Sequence, residues 1–321
     1  MQGMNTPSLP FVFALLVSFV SATPSWAEDA KTVVQKKVLV IGIDGCRHDA
    51  VVASDTPHIT GIVARGTRFV GTDILSPKRT DMANTVSGPG WSNLLTGVWP
   101  NKHGVSDNKF IGSQYDRYPH FFVRAKSAQP EIQTASFSDW GRIAEKILSG
   151  SDLTLDLPAD GADDYTQKDS QLTTACCEHL RNLDPDLVFL YLGQVDECGH
   201  TYGFHPTVKQ YTDAIVRVDG HIGQVLQAIE SRNTYASEDW LILICTDHGG
   251  AGTDHGDGHS NPDIRRTFMV VSGPSAEVSA EQKQTYQVDI VATALTHLGI
   301  PLQPEWELDG SAVGLKQGIA P

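Results

Sequence analysis

Three short apolar runs, each halting at an acidic residue, limit what this chain can fold into. Lys37 to Ile43 (KVLVIGI) stops at Asp44-Gly45, Leu187 to Leu192 (LVFLYL) leads into Gln194-Val195-Asp196, and Trp240 to Cys245 (WLILIC) runs into Thr246-Asp247-His248. Near-continuous aliphatic runs of this length read as strands buried on both faces, the pattern of a parallel sheet. Such a sheet needs crossover helices, and two are legible. One is His58 to Ala64, opened by Thr56-Pro57 and closed by Gly66. The other is Thr207 to Ile229, whose Val208, Tyr211, Ile215, Val218, Ile222, Val225, Leu226 and Ile229 recur with a helical period. A further strand is expected at Thr267 to Val271 and a last helix at Val288 to Leu298, stopped by Gly299 and Pro301. The expected class is α/β, a three-layer sandwich with a mostly parallel central sheet and helices on both faces. Pro119 to Leu172 shows no clear period, and its Asp-rich part, Asp152 to Asp164, fits no EF-hand loop and reads as a solvated connection.

The chain has 321 residues, 40% of them hydrophobic, enough for a large core. The acids and histidines of interest spread from Asp44 to His255, so a single domain over residues 28–321 is the expectation. A net charge of -14, with no basic cluster, argues against binding nucleic-acid duplexes. Residues 1–27 carry no charged side chain. Leu9 to Ala22 is apolar but short for a membrane span, and Ser25-Trp26-Ala27 resembles a small-x-small cleavage site. The expectation is a signal peptide cut after Ala27 and export to a periplasmic or extracellular space. The missing Lys or Arg before the apolar run leaves an uncleaved anchor as the alternative. The five cysteines, an odd number without C-x-x-C spacing, argue against a disulfide framework or zinc ribbon, and Cys198 and Cys245 are expected to be buried small hydrophobes.

In open α/β sheets ligands bind beyond the carboxyl ends of the strands, where Asp44, Asp196 and Asp247 fall. His200 follows Asp196 by four residues, His248 follows Asp247 directly, and His255 comes seven residues later, all beside glycines. Any one of these residues alone is as well explained as a cap or turn former. Together, three carboxylates and three imidazoles suit zinc, or manganese and similar ions, better than magnesium or calcium. Six ligands exceed one tetrahedral zinc and match two divalent ions about 4 Å apart, the arrangement that clamps both oxygens of an in-line displacement at phosphorus. Gly45, Gly199, Gly249, Gly250 and Gly256 are expected to supply positive φ for loops folded tightly around the ions.

Thr85-Val86-Ser87-Gly88-Pro89-Gly90-Trp91 begins as a loop and continues as a helix ending at Gly97. Its S-x-P, followed by L-L-T-G and W-P-N-K-H-G-V, resembles the nucleophile segment of the alkaline phosphatase superfamily, above all its type I phosphodiesterase and nucleotide pyrophosphatase branch. With V-L-V-I-G-I-D-G, V-D-E-C-G-H, C-T-D-H-G-G and H-G the resemblance runs in order from residue 37 to about 274. It implies an alkaline phosphatase-like fold, with one metal at Asp44, Ser87, Asp247 and His248 and the other at Asp196, His200 and His255. It also implies attack by Ser87 through a covalent phospho-serine, and an Asn108 that donates to a phosphate oxygen. Asn108 is equally suited to a turn.

His259 rivals His255 as the last ligand, and the H-G after a G-T-rich loop favours His255. His103 is expected to make structural hydrogen bonds and His205 to line the pocket. Trp91 either stacks on a planar leaving group or packs in the core. A sulfatase is disfavoured because Trp91 stands where that branch carries arginine. Phosphomonoesterase, phosphonate hydrolase, sulfatase-like hydrolase and a metal-containing binding protein remain alternatives to a phosphodiesterase acting on a phosphate ester or nucleotide.

Overall fold

The acid-ended runs are strands, and their carboxyl ends lie side by side. A computed structural model describes residues 1–4, 34–78, 83–279 and 283–318. The expected leader, residues 1–27, lies outside the described residues except for its first four. In chain order the elements are β1 (Gln35–Ile43), α1 (His48–Ala53), α2 (Pro57–Val63), β2 (Gly66–Asp73), α3 (Ser87–Thr96), α4 (Pro100–His103), α5 (Phe121–Ala128), β3 (Thr134–Ser138), β4 (Leu153–Asp156), α6 (Ala162–Asn182), β5 (Leu187–Leu192), α7 (Gln194–Tyr202), α8 (Lys209–Glu230), β6 (Glu238–Cys245), α9 (Pro262–Arg265), β7 (Arg266–Ser272) and α10 (Asp289–His297).

The strands of the described residues form one seven-stranded sheet in the order β2-β7-β6-β1-β5-β3-β4. β1 pairs in parallel with β5 and β6, and β3 in parallel with β4 and β5, whereas β7 runs antiparallel to both β6 and β2. The strand expected at Thr267 to Val271 is therefore the one that reverses. Register sets Ile43 beside Leu192 and Gly42 beside Cys245, so the chain leaves β1, β5 and β6 at one edge of the sheet.

Side-chain alternation along β1 builds the two outer layers. Leu39, Ile41 and Ile43 join one core with Val51, Ile59, Leu172, Ile215 and Val218, under α1, α2, α6 and α8. Val38 and Val40 point the other way, into a second core with Trp91, Leu94, Phe121, Ile290 and Leu295, under α3, α5 and α10. α3 is buried at every position, and α10 at all but one of its nine. Truncating a central contact such as Leu190→Ala is expected to cost about 2–5 kcal/mol.

The irregular reading of Pro119 to Leu172 needs correction: that stretch holds α5, β3, β4 and the start of α6. β4 sits at the sheet edge with Leu153 and Thr154 exposed, so no apolar run marks it, and the Asp-rich connection contains this strand. β2 escaped notice for the same reason, since its outer positions are polar or solvent-facing. Among the described residues no helix is long and apolar enough to cross a membrane. All five cysteines are buried and unpaired, and the burial of Cys198 and Cys245 is as expected.

Candidate metal centre and nucleophile

Three strand ends and one helix start bring the expected site residues together. Asp44 follows β1, Asp196 and His200 lie on α7 just beyond β5, Asp247 and His248 follow β6, and Ser87 opens α3. The ligand atoms form two clusters, Asp44 with Asp247 and His248, and Asp196 with His200 and His255, each with its atoms within 4.8 Å of one another. The clusters share a wall: the rings of His248 and His255 stack with centroids 3.7 Å apart. Ser87 Oγ lies 3.3 Å from His248 Nε2. His259 is not part of the group, because its Nε2 bonds to the Ala83 carbonyl.

Each imidazole is oriented by a backbone carbonyl on its far side. Nδ1 of His200, His248 and His255 meets the carbonyls of Thr253, Gly249 and Thr85 at 3.0, 2.9 and 3.0 Å. With the proton on Nδ1, the Nε2 lone pair of every ring points into its cluster, the tautomer a metal ligand needs. His200 Nε2 and His255 Nε2 are then 3.0 Å apart with lone pairs facing. Asp44 Oδ1, Asp196 Oδ1 and Asp247 Oδ2 are buried without a hydrogen-bond partner. Lone pairs directed at one another and at unpartnered carboxylate oxygens are unfavourable unless a cation lies between them. The donor sets fit divalent metals of the zinc type.

Electrostatics separates the clusters. Burial, then the Asp196 charge, pushes the Asp44 carboxyl up; burial with the Asp44 and Asp196 charges pushes Asp247 well above the ordinary carboxylate range. Burial also pushes Asp196 up, but the hydrogen bond to His200 and the charges of His248 and His255 outweigh it and hold it low. That same bond raises His200 to about 9, while burial and His248 lower His255 to about 3.

Residues that motif reading did not single out complete the site. Asp44 Oδ2 accepts from Trp91 Nε1 at 3.0 Å and from the Tyr191 hydroxyl. Trp91 is fully buried, which overturns stacking on a leaving group and leaves it as the residue that orients Asp44. Its ring needs the missing side chain of Gly42, where a Cβ would lie 2.4 Å from the indole. Asp139, one residue beyond β3, and Asp169 of α6 are both fully buried. Burial, then the Asp169 charge, pushes the Asp139 carboxyl well above the ordinary carboxylate range. Asp169 accepts from the amides of Gly193 and Gln194 and so caps the helix that bears Asp196 and His200. With β3 unrecognised, the strand-end signal for Asp139 was invisible.

Among the glycines, the expectation of positive φ holds for Gly45 alone, at 60°, where a Cβ would strike Asp196 Oδ1. Gly199, Gly249 and Gly250 have ordinary φ and are required by close approach to Phe204 or the Asp263 carbonyl; Gly256 meets neither condition. His103 Nε2 bonds to Asn93 Oδ1 as expected of a structural residue. His205 is exposed, bonds to Thr207 and does not line the cavity.

A cavity of about 140 Å³ opens before Ser87, lined by Asp44, Asn108, Trp140, Tyr165, Tyr191 and Glu197 among others, with no Lys or Arg among the described residues. Asn108 Oδ1 accepts from the Gly88 amide at 2.6 Å, which turns its NH₂ group toward that space. Ser87 stands at the positive end of α3, where an anion is favoured.

A mostly parallel sheet carrying carboxylate and imidazole clusters at its strand ends defines the alkaline phosphatase-like class. A 2-O GAG sulfatase superposes over 89% of this chain and 76% of its own (TM-score 0.70, 14% identity). Murine ectonucleotide pyrophosphatase/phosphodiesterase 5, solved in complex with AMP, superposes over 84% of this chain and 96% of its own (TM-score 0.64, 15% identity). Within that class, the model of the family described as type I phosphodiesterase / nucleotide pyrophosphatase matches residues 38–295, and the chain belongs to that family. The human GPI ethanolamine phosphate transferase 2 catalytic subunit is 23% identical over 83% of this chain and 26% of its own length. The chain spans about a quarter to a half of the length of the curated relatives it matches.

Proposed function

We propose that this protein is a metal-dependent hydrolase of phosphoric diesters, with Ser87 as nucleophile and the two clusters as sites for two divalent cations, zinc or manganese. The observation that carries this reading is the position of Ser87 Oγ, at a helix N-terminus, 3.3 Å from His248 Nε2. Cations bound there would neutralise the phosphoryl charge and make the serine hydroxyl more acidic.

Asp44, Asp247 and His248 would hold one cation beside Ser87; Asp196, His200 and His255 would hold the other. Having lost its proton to water, Ser87 Oγ donates an electron pair to phosphorus. The bond from phosphorus to one ester oxygen breaks, that oxygen keeps the pair, and the alcohol leaves after taking up a proton. Water then attacks the phospho-serine ester, Ser87 is regenerated, and a phosphate monoester departs. Asn108 would donate to a non-bridging oxygen throughout. Among the described residues no Lys or Arg lines the cavity, which favours a monoanionic diester over a dianionic monoester. Export after removal of residues 1–27 belongs to the same proposal.

The test is hydrolysis of bis(4-nitrophenyl) phosphate by protein loaded with zinc or manganese, with mass spectrometry of acid-quenched samples for a phosphorylated Ser87. Turnover of the diester supports the reading. Inactivity on diesters by protein shown to hold two metals overturns it in favour of a binding protein.

A further inference from the structure

Two residues outside the clusters hold the segments that carry them. Arg47 follows Asp44 by three residues and is buried. Its Nη1 donates to the carbonyls of Phe204 and Gly250 at 3.1 and 2.9 Å. Phe204 lies two residues beyond α7, the helix of Asp196 and His200, and Gly250 lies two residues after His248. One guanidinium therefore ties the segment after β1 to the segments after α7 and β6. Asp49 accepts from Nε and Nη2 at 2.9 and 2.6 Å, and an Asp263 oxygen lies 3.2 Å from Nη1, so the buried charge is matched without any of the six candidate ligands.

Phe204 carries this tie to the Asp196 cluster. Its ring is fully buried and stands nearly perpendicular to both imidazoles there, with centroids 5.3 Å from His200 (planes at 83°) and 5.9 Å from His255 (88°). The ring fits only because two neighbours lack side chains: a Cβ at Gly199 or Gly250 would lie 2.2 Å from it. The Phe204 amide donates to the Gly252 carbonyl at 2.7 Å, one residue before the Thr253 carbonyl that orients His200 Nδ1. Phe204 thus backs the two rings whose Nε2 atoms stand 3.0 Å apart, where a small rotation of either would turn a lone pair away from its partner.

We propose that Phe204 is a positioning residue that fixes the imidazoles of His200 and His255 for a cation, and that Arg47 fixes Phe204 and links the two clusters. The proposal rests on the reading of the clusters as cation sites and adds the residues that keep their shape. Neither residue touches substrate or the reacting atoms.

The test measures zinc affinity of the full chain by competition with a chromophoric chelator, and the binding step lost in His200→Gln identifies the Asp196 cluster. Phe204→Leu should weaken zinc at that cluster by about 10-fold and leave the other in place. Arg47→Lys keeps the charge but cannot hold Asp49 and both carbonyls from one planar group, and it should weaken both clusters by about 10-fold. Phe121→Leu, the same change at a fully buried site in the opposite core, should lower the melting temperature and leave both affinities in place. A readout in the unaltered protein needs no variant. The amides of Gly203, Phe204 and Gly250, bonded to the carbonyls of Gly199, Gly252 and Asp263, should keep their protection from hydrogen exchange when the cations are chelated. Collapse of that protection on chelation, or unchanged affinities in a folded Phe204→Leu variant, overturns the positioning role and leaves the hydrolase reading intact. Unchanged affinities in Arg47→Lys overturn the link between the clusters. Failure of the unaltered protein to bind zinc overturns the cation reading and this proposal together.

Discussion

The two metal clusters are built from the same residue types and differ in how they meet solvent. Asp44, Asp247 and His248 are closed off, at 1%, 0% and 0% exposure, whereas His200 of the other cluster is exposed. In the closed cluster burial pushes both carboxyls up, helped by the Asp196 charge at Asp44 and by the Asp44 and Asp196 charges at Asp247, so without a cation these carboxylates repel. In the open cluster the His200–Asp196 hydrogen bond supplies an internal substitute for the missing charge. One cradle would therefore depend on a bound cation for stability, and the other would tolerate its loss.

Five experiments would break or sharpen that contrast. Ser87→Ala should lower diester hydrolysis by about 10³-fold or more while two metals remain bound, as read by kinetics beside elemental analysis. A large loss of metal instead would mean that the hydroxyl is a structural ligand of the closed cluster. Asp247→Asn and His200→Gln should each weaken their own cation by more than about 100-fold, since loss of an outer partner alone is worth about 10–100-fold. Only Asp247→Asn should also lower the melting temperature of the metal-loaded protein strongly. Equal destabilisation by both variants would end the distinction.

Titration with a chelator should strip the open cluster first, giving a one-metal species of nearly unchanged melting temperature, and a large fall only with the second metal. In the fully chelated protein the carboxyls of Asp44 and Asp247 and the imidazole of His200 are all raised. A raised pKa contributes stability at pH below the unfolded value and loses it as pH climbs through the folded value. Melting temperature of the chelated protein should therefore fall between about pH 6.5 and about 9 through His200, and His200→Gln should flatten that segment. The smallest effect is expected from Tyr191→Phe, which removes one donor to Asp44 and should weaken the closed site about 10-fold by calorimetry.

How much of this was legible depended on burial. Strands β1, β5 and β6 announced themselves because both faces are covered, which leaves a continuous apolar run, and their terminal acids followed. β2 and β4 are edge strands with solvent-facing positions, so their sequences carry no such run. β7 was legible as a strand, but its direction follows from the pairing with β2 and β6 and not from its composition. The six candidate ligands were pointed to by strand-end acids and glycine-flanked histidines, and Ser87 and Asn108 by the resemblance; the structure brings them to one place. Asp139, Asp169 and Tyr191 were not pointed to, since each acts through a neighbour distant in sequence. Trp91 could be read either way until its indole nitrogen was seen to face Asp44.

The tie between Asp169 and the first turn of α7 has a consequence for assembly. That helix is anchored where the amides of Gly193 and Gln194 donate to the buried Asp169, groups that the polypeptide supplies entirely by itself. Its half of the centre can be shaped before any ion arrives, as a mould is finished before casting. Filling it is a late and reversible event, separate from the making of the scaffold.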